Sequence, residues 1–138
     1  MNPLLNSTIY ARVTGIALAA TALLGIIMEF ANDGGLIDGF LNFDWTHDIL
    51  HVVLAGAALA AGFAASGSYS RIYAKVFGIV YTGLAIAGFV SGSVVGFLGI
   101  TLELGENLVH ILIGLWGIAT GFFGNTVTTG TTPRARGV

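Results

Sequence analysis

Four stretches of the chain are almost entirely apolar, and polar or glycine-rich segments separate them. They run from Ile9 to Met28, from about Asp48 to Ala65, from Ile72 to about Val90 and from about Asn107 to Phe123. Since roughly 20 apolar residues in a helix cross a hydrocarbon core of about 30 Å, each stretch predicts one transmembrane helix. The polar run from Ser66 to Ser70 is typical of a turn between the second and third spans.

The basic and acidic residues lie on opposite sides of these spans. The basic residues fall at the starts of the first and third spans and in the C-terminal tail: Arg12, Arg71, Lys75, Arg134 and Arg136. The acidic residues fall in or beside the other two connections: Glu29, Asp33, Asp38, Asp44, Asp48, Glu103 and Glu106. Because cytoplasmic flanks of membrane helices are enriched in Lys and Arg, we expect a multi-pass plasma-membrane protein with both termini in the cytoplasm. The connections from Asp33 to Trp45 and from Gly96 to Gly105 are then external.

The second half of the sequence repeats the first. The segment Ile9–Ile16 reads IYARVTGI and recurs 63 positions later, at Ile72–Ile79, as IYAKVFGI. The segment His47–Leu54 reads HDILHVVL and recurs 59 positions later, at Glu106–Ile113, as ENLVHILI. This internal similarity predicts two copies of one helix pair.

The repeat also predicts how the domain is organised. We expect one transmembrane domain over residues 1–125, with repeat 1 at about 8–65 and repeat 2 at about 71–124. Each copy crosses the membrane twice, so both enter it in the same direction and a pseudo-two-fold axis follows the membrane normal. We expect residues 126–138 to form a flexible cytoplasmic tail. The predicted fold class is therefore all-α and integral to the membrane.

Composition supports lipid as the surrounding medium and excludes several functions. Hydrophobic residues make up 55% of the 138 residues and charged residues only 9%, with a mean hydropathy of +0.88. The chain has no cysteine, which excludes disulfides, thiolate chemistry and cysteine-ligated metal centres. A net charge of −2 without a basic cluster argues against nucleic acid as a partner. We expect no enzymatic activity, because no nucleophile motif or soluble lid is present.

The residues with chemical capacity gather at the external ends of the second and fourth spans. His47 and His51 are four positions apart, as are Glu106 and His110, so each pair projects from one helix face. Brought together by the two-fold axis, these four side chains would form a metal site. Alternatively, His51 and His110 would be the two axial ligands of a haem.

Structural roles for the same region, and a proton relay, stay open as alternatives. Asp44 and Glu103 stand where helix N-caps belong, and Asp48 and Glu106 complement the positive ends of helices. A histidine at a helix interface also hydrogen-bonds neighbouring helices. The sequence does not name a cofactor.

Two motifs at corresponding places carry a resemblance to a known family. They are His47-Asp48-Ile49-Leu50-His51 and Glu106-Asn107-Leu108-Val109-His110, each followed by a span rich in small residues. This pattern resembles a prokaryotic membrane-protein family of unknown function, domain of unknown function 4383, over nearly the whole chain. The resemblance implies four spans and a duplicated unit, and it brings no activity, cofactor or catalytic residue. Asp48 stands where the family pattern has Asn.

The sequence favours a small membrane protein that acts by binding or assembly. In this interpretation it is a homo-oligomer or an accessory subunit of a membrane complex, embedded in the lipid bilayer. The alternative is a haem- or metal-binding protein of electron transfer that uses the external-side histidines. A transporter would need polar groups at mid-membrane, and the span interiors offer little besides threonine.

Overall fold

The computed structural model describes residues 3–31, 41, 44–91 and 102–126, and within them the chain is helical without a strand. Each of the four main helices is long and apolar enough to cross a membrane, the fourth when counted with its continuation to Phe123. This confirms the predicted all-α fold of four such helices. The helices are α1 (Ser7–Phe30), α2 (Trp45–Phe63), α3 (Ser70–Val90) and α4 (Leu104–Ile118), which continues as a π-helical turn over Ala119–Phe123.

Most of both acidic connections and the tail from residue 127 onward lie outside the described residues. The predictions of external connections and of a flexible tail therefore stay predictions. Two backbone hydrogen bonds fix Asn125, which follows the end of α4. The N–H of Ser7 donates to the carbonyl of Asn125 at 3.0 Å, and the N–H of Asn125 donates to the carbonyl of Leu5 at 2.8 Å. The start of α1 and the end of α4 thus meet at one end of the bundle.

Helix α2 begins at Trp45, earlier than the predicted start at Asp48. The carboxylate of Asp44 caps it by accepting the N–H of His47 at 2.8 Å. Such a cap satisfies one of the amides that the first turn leaves unpaired. A polar first turn lowers the local hydropathy, which is why the apolar run alone places the start too late.

Helix α4 starts in the same way, at Leu104 instead of the predicted Asn107. The N–H of Glu103 donates to the carboxylate of Glu106, and the two residues form a capping box. The expected N-cap positions of both helices are therefore confirmed. They place the histidines of α2 and α4 within the first two turns, at the same end of the bundle.

The connection between α2 and α3 is the tight turn that the sequence predicts. A 3₁₀ turn over Ala64–Gly67 ends with Gly67 at a φ of 78°. This left-handed backbone favours glycine. The chain therefore reverses direction within a few residues, and α3 runs antiparallel to α2.

Each helix packs mainly against its partner within the same half, α1 against α2 and α3 against α4. Glycines bring the backbones together: a Cβ at Gly15 would lie 3.0 Å from the Cβ of Ala58, and one at Gly78 would lie 2.7 Å from the carbonyl carbon of Gly117 and 2.5 Å from the nitrogen of Ile118. Small residues are the usual means of close helix packing in lipid. Gly15 with Ala58 and Gly78 with Gly117 are also counterparts in the sequence repeat.

Two arginines bind carbonyls at the C-terminal end of the partner helix. The Nε of Arg12 donates to the carbonyl of Gly62 at 2.9 Å, and the Nε of Arg71 donates to that of Gly121 at 3.1 Å. The last carbonyls of a helix have no partner within it, so each arginine satisfies one of them. Arg12 thus ties α1 to α2 in addition to marking the basic end of the bundle.

Alanines are frequent in the interior of the bundle, beside a few large side chains such as Tyr10, Phe77 and Tyr81, while many large apolar residues lie on the outer surface. Seven of the buried hydrophobic residues are alanines: Ala11, Ala22, Ala55, Ala58, Ala61, Ala74 and Ala85. Large apolar residues such as Ile72, Val90 and Leu112 are exposed by 63%, 82% and 68%. In water such a surface would be unfavourable, whereas hydrocarbon solvates it.

Candidate metal centre

The three histidines of the chain come together in one buried cluster. One ligand atom from each of His47, His51 and His110 lies within 4.8 Å of the others, and the three side chains are exposed by 8% or less. The ring centroids of His47 and His51 are 4.3 Å apart, and those of His47 and His110 are 6.3 Å apart. We call these three residues the triad.

Local sequence places two of these rings and the repeat places the third. His47 and His51 are one turn apart on α2, so they share the face that packs inward. His110 occupies on α4 the position that His51 occupies on α2, and the structure brings the two helix pairs together at this point. The expected approach of His51 and His110 is therefore present, and His47 joins them.

The cluster contains buried polar atoms that lack a partner. Among the described residues, the Nδ1 atoms of His51 and His110 are buried and make no hydrogen bond. Burying an unpaired polar atom costs about 1–3 kcal/mol, so such atoms call for an explanation. A bound metal ion would use imidazole lone pairs in this cluster and offset part of that cost.

Tyr81 completes the surroundings of the triad, and sequence analysis does not select it. Its ring meets that of His110 edge to face, with centroids 4.8 Å apart, and only 2% of the residue is exposed. Tyr73, Phe77 and Tyr81 follow one another at intervals of four residues on α3 and stack at 4.5 and 4.6 Å. That spacing is the signal in the sequence that could have identified an aromatic column leading to the histidines.

Glu106, the fourth predicted ligand, lies beside the triad and also serves the start of α4. Its carboxylate accepts the N–H of Glu103 in the capping box. It lines one of two cavities next to the triad together with all three histidines. The structure thus places Glu106 near the cluster, while the metal-capable group itself consists of the histidines.

Asp48 and Asn107, which precede His51 and His110 by three positions, do not orient the imidazoles. Asp48 packs against Gly25 between α1 and α2, and Asn107 packs against Gly88 between α3 and α4. Within the described part of the chain the carboxylate of Asp48 has no hydrogen-bond partner, so it does not orient an imidazole there. The amide nitrogen of Asn107 donates to the carbonyl of Leu102 at 3.3 Å.

Two cavities flank the triad on opposite sides, between the helix pairs. Cleft 1 lies between α2 and α3 and has a volume of about 300 Å³. Cleft 2 lies between α1 and α4 and has a volume of about 250 Å³. Both are lined by the triad and by Tyr81, so the histidines form the wall that the clefts share.

The geometry fits one metal ion better than a haem. A haem between His51 and His110 would extend as a disk around the iron, perpendicular to the line joining the two ligand atoms. The ligand atom of His47 lies within 4.8 Å of both, so a third imidazole stands beside the line that joins them. A single ion needs the three imidazole nitrogens to move closer together, since zinc–nitrogen bonds measure about 2.0–2.1 Å.

Three imidazoles define a recognisable class of site. Imidazole nitrogen suits zinc, copper, nickel and iron, and a set of three protein ligands leaves a further coordination position open. Here that position would face one of the two clefts. No protein-family model, curated protein or solved structure matches this chain, so the assignment rests on its own residues.

Proposed function

We propose that this chain is a small integral membrane protein that binds one divalent transition-metal ion between its two helix pairs. The ligands are His47, His51 and His110. The observation that carries the proposal is the convergence of three buried imidazoles, with their ligand atoms all within 4.8 Å. Metal content of the protein purified in detergent tests it directly, and the histidine substitutions in the Discussion extend that test.

Membrane insertion is supported by the distribution of side-chain size. Alanines are frequent in the interior, and large apolar side chains cover much of the outside of helices that are long enough to span a bilayer. Phe30 and Trp45 are exposed at the end of the bundle that holds the triad, and Tyr69 is exposed at the other end. Aromatic residues are enriched at both interfaces of membrane proteins. The plasma membrane is the proposed location.

An origin by duplication of a helix pair is part of the same proposal. Its support is the recurrence of contacts at repeated positions: Arg12 lies over the ring of Phe63 as Lys75 lies over that of Phe122, and Gly25 and Gly88 each receive a polar side chain. Membership in domain of unknown function 4383 stays a hypothesis that rests on the two histidine motifs. Assembly as a homo-oligomer or accessory subunit also stays a prediction.

Binding is the proposed activity, without catalysis. The cleft walls are mainly apolar, and the chain has no cysteine to serve as a nucleophile. In the alternative of electron transfer, the triad would hold a redox-active ion such as copper in place of a haem. The identity of the native metal, determined by elemental analysis, separates these two roles.

Replacing Glu106 with Gln tests whether its charge supports the metal. Three neutral imidazoles leave the positive charge of a divalent ion uncompensated in a medium of low dielectric. We expect Glu106→Gln to weaken Co(II) binding about 10-fold, in the range typical of groups that tune a metal from outside its ligand set. Binding is measured by titration of the visible cobalt band in detergent.

Gln serves at the same place in a capping box, so the start of α4 should be kept. The matched control is Glu103→Gln, which removes a carboxylate from the adjacent N-cap. An equal loss of affinity in both variants would show that negative charge anywhere at the start of α4, and not the carboxylate of Glu106 in particular, supports the metal.

The proposed topology is tested with single cysteines, because the natural chain has none. Thr46 is exposed at the triad end of the bundle, and Ser68 is exposed at the other end. We expect a membrane-impermeant thiol reagent applied to intact cells to label Thr46→Cys and to spare Ser68→Cys, since the basic residues mark the cytoplasmic side. Permeabilised cells, in which both should react, provide the control. Labelling of Ser68→Cys alone would reverse the orientation.

A further inference from the structure

The two clefts beside the triad are counterparts of one another in the repeat. Side chains of α3 that line cleft 1 occur 63 positions after side chains of α1 that line cleft 2. The pairs are Phe77 with Thr14, Val80 with Ala17, and Leu84 with Thr21. The triad therefore has two openings of common design, one on each side.

The two openings differ in polarity. Thr14, Thr21 and Glu106 are among the residues that line cleft 2. Cleft 1 has Phe77 and Leu84 at the corresponding places, and its described lining is apolar except for the triad and Tyr81. Equivalent positions have thus diverged, so that one approach to the three histidines includes Thr14, Thr21 and Glu106 among mainly apolar residues, while the other has apolar side chains at the corresponding places on α3.

Cleft 1 connects the outer apolar surface with the buried imidazoles. At its mouth, Val76 and Val80 are exposed by 56% and 49% on the face of α3 that we propose to meet lipid. Its inner end is formed by the triad, where the Nδ1 atoms of His51 and His110 lack partners among the described residues. A molecule in cleft 1 would thus be surrounded by apolar side chains along most of its length, and one end of it would reach the metal-binding histidines.

We infer that cleft 1 admits a membrane-dissolved amphiphile, a molecule with one apolar chain and one metal-binding polar group. The chain occupies the space between α2 and α3, and the polar group takes the open coordination position of the metal. The inference rests on the proposed metal site and names the class of ligand that this site receives. A small hydrophilic anion does not fit this approach, because a charged group without a partner is costly in an apolar cleft.

The experiment uses the full chain in detergent with Co(II) in the triad, and two hydroxamic acids as probes. Acetohydroxamic acid and octanohydroxamic acid carry the same metal-binding group, and only the second has a long chain. Both report binding by changing the visible cobalt band. We expect the octanoyl probe to bind at least 10-fold more tightly to the wild-type protein.

Two substitutions at repeat-related positions separate cleft binding from partition of the probe into detergent. Val80→Trp fills cleft 1, whereas Ala17→Trp fills cleft 2 at the corresponding position. We expect Val80→Trp to remove the preference for the octanoyl probe and to retain the cobalt band, because Val80 is not one of the ligands. Ala17→Trp should keep the full preference. Because the detergent enriches the probe equally for both variants, a difference between them reports binding in cleft 1.

The outcomes distinguish the ligand class from the metal site itself. A preference that survives Val80→Trp, or that is lost equally in Ala17→Trp, overturns the assignment of cleft 1 and leaves the metal site standing. A wild-type protein that shows no cobalt band overturns the proposed function and this inference together. If Val80→Trp fails to bind cobalt, the pair Leu84→Phe and Thr21→Phe applies the same comparison deeper in the clefts.

Discussion

Each of the substitutions His47→Ala, His51→Ala and His110→Ala is expected to abolish stoichiometric metal binding. The chain contains three histidines in total, and all three form the triad, so no other imidazole can replace a lost one. Loss of an outer-shell partner already weakens a metal site about 10–100-fold, and loss of a ligand should exceed that. Elemental analysis and Co(II) titration of the purified variants measure the effect.

Tyr81→Phe serves as the matched control for these variants. It keeps the ring that packs against His110 and removes only the hydroxyl. We expect it to retain the metal, which would show that disturbance near the triad is not by itself sufficient to release the ion. Variant proteins that kept one equivalent of metal after loss of His51 would place the site elsewhere.

A structural role for the histidines predicts a different pattern. If His51 and His110 only stabilise the interface between the helix pairs, wild-type protein contains no metal. Each alanine variant then unfolds at a lower temperature, and the double variant loses less than the sum of the single losses, because the two rings act as one contact. Thermal unfolding with and without added metal separates the two cases, since a metal that binds the folded state raises its stability.

Among alanine substitutions at Gly15, Gly78 and Gly83, Gly78→Ala is expected to cause the largest loss of stability. A Cβ at position 78 would lie 2.5 Å from the backbone nitrogen of Ile118 and 2.9 Å from the carbonyl oxygen of Gly114. Backbone atoms cannot rotate away, so α3 and α4 must separate. Overpacking of this kind costs about 1–3 kcal/mol, and thermal unfolding in detergent measures it.

Gly83→Ala on the same helix is the control, because a Cβ there meets nothing within 4 Å. Alanine is the better helix former by about 0.5–1 kcal/mol, so this variant should be as stable as wild type or more so. Gly15→Ala should lie between the two, since its closest contacts are side-chain atoms of Leu59 that have room to shift. Equal unfolding temperatures for Gly78→Ala and Gly83→Ala would contradict the close approach of α3 and α4.

Gly15 and Gly78 show that the repeat predicts where two helices approach but not how tight the contact is. The repeat equates them, and both do lie where two helices approach. Their neighbours differ, however, because Leu59 and Ala58 face the first and Ile118 and Gly117 face the second. Close contact could be predicted from the pattern, whereas the severity of the contact depends on atoms from another helix.

The sequence by itself determined the number of helices and their bounds to within three residues, since apolar runs of this length are stable as helices in lipid and the capping residues lie next to them in the chain. It also placed His51 and His110 at the same end of the bundle. These features depend on neighbouring residues or on an internal similarity that can be read along the chain.

Only the tertiary structure decided which polar side chains meet. It brought His47 into contact with both other imidazoles, kept Glu106 at the start of α4 beside them, and turned Asp48 toward Gly25. It also showed Tyr81 against His110. Such choices depend on the rotation and spacing of packed helices, which small residues in distant parts of the chain control, so the identity of a single residue does not reveal them.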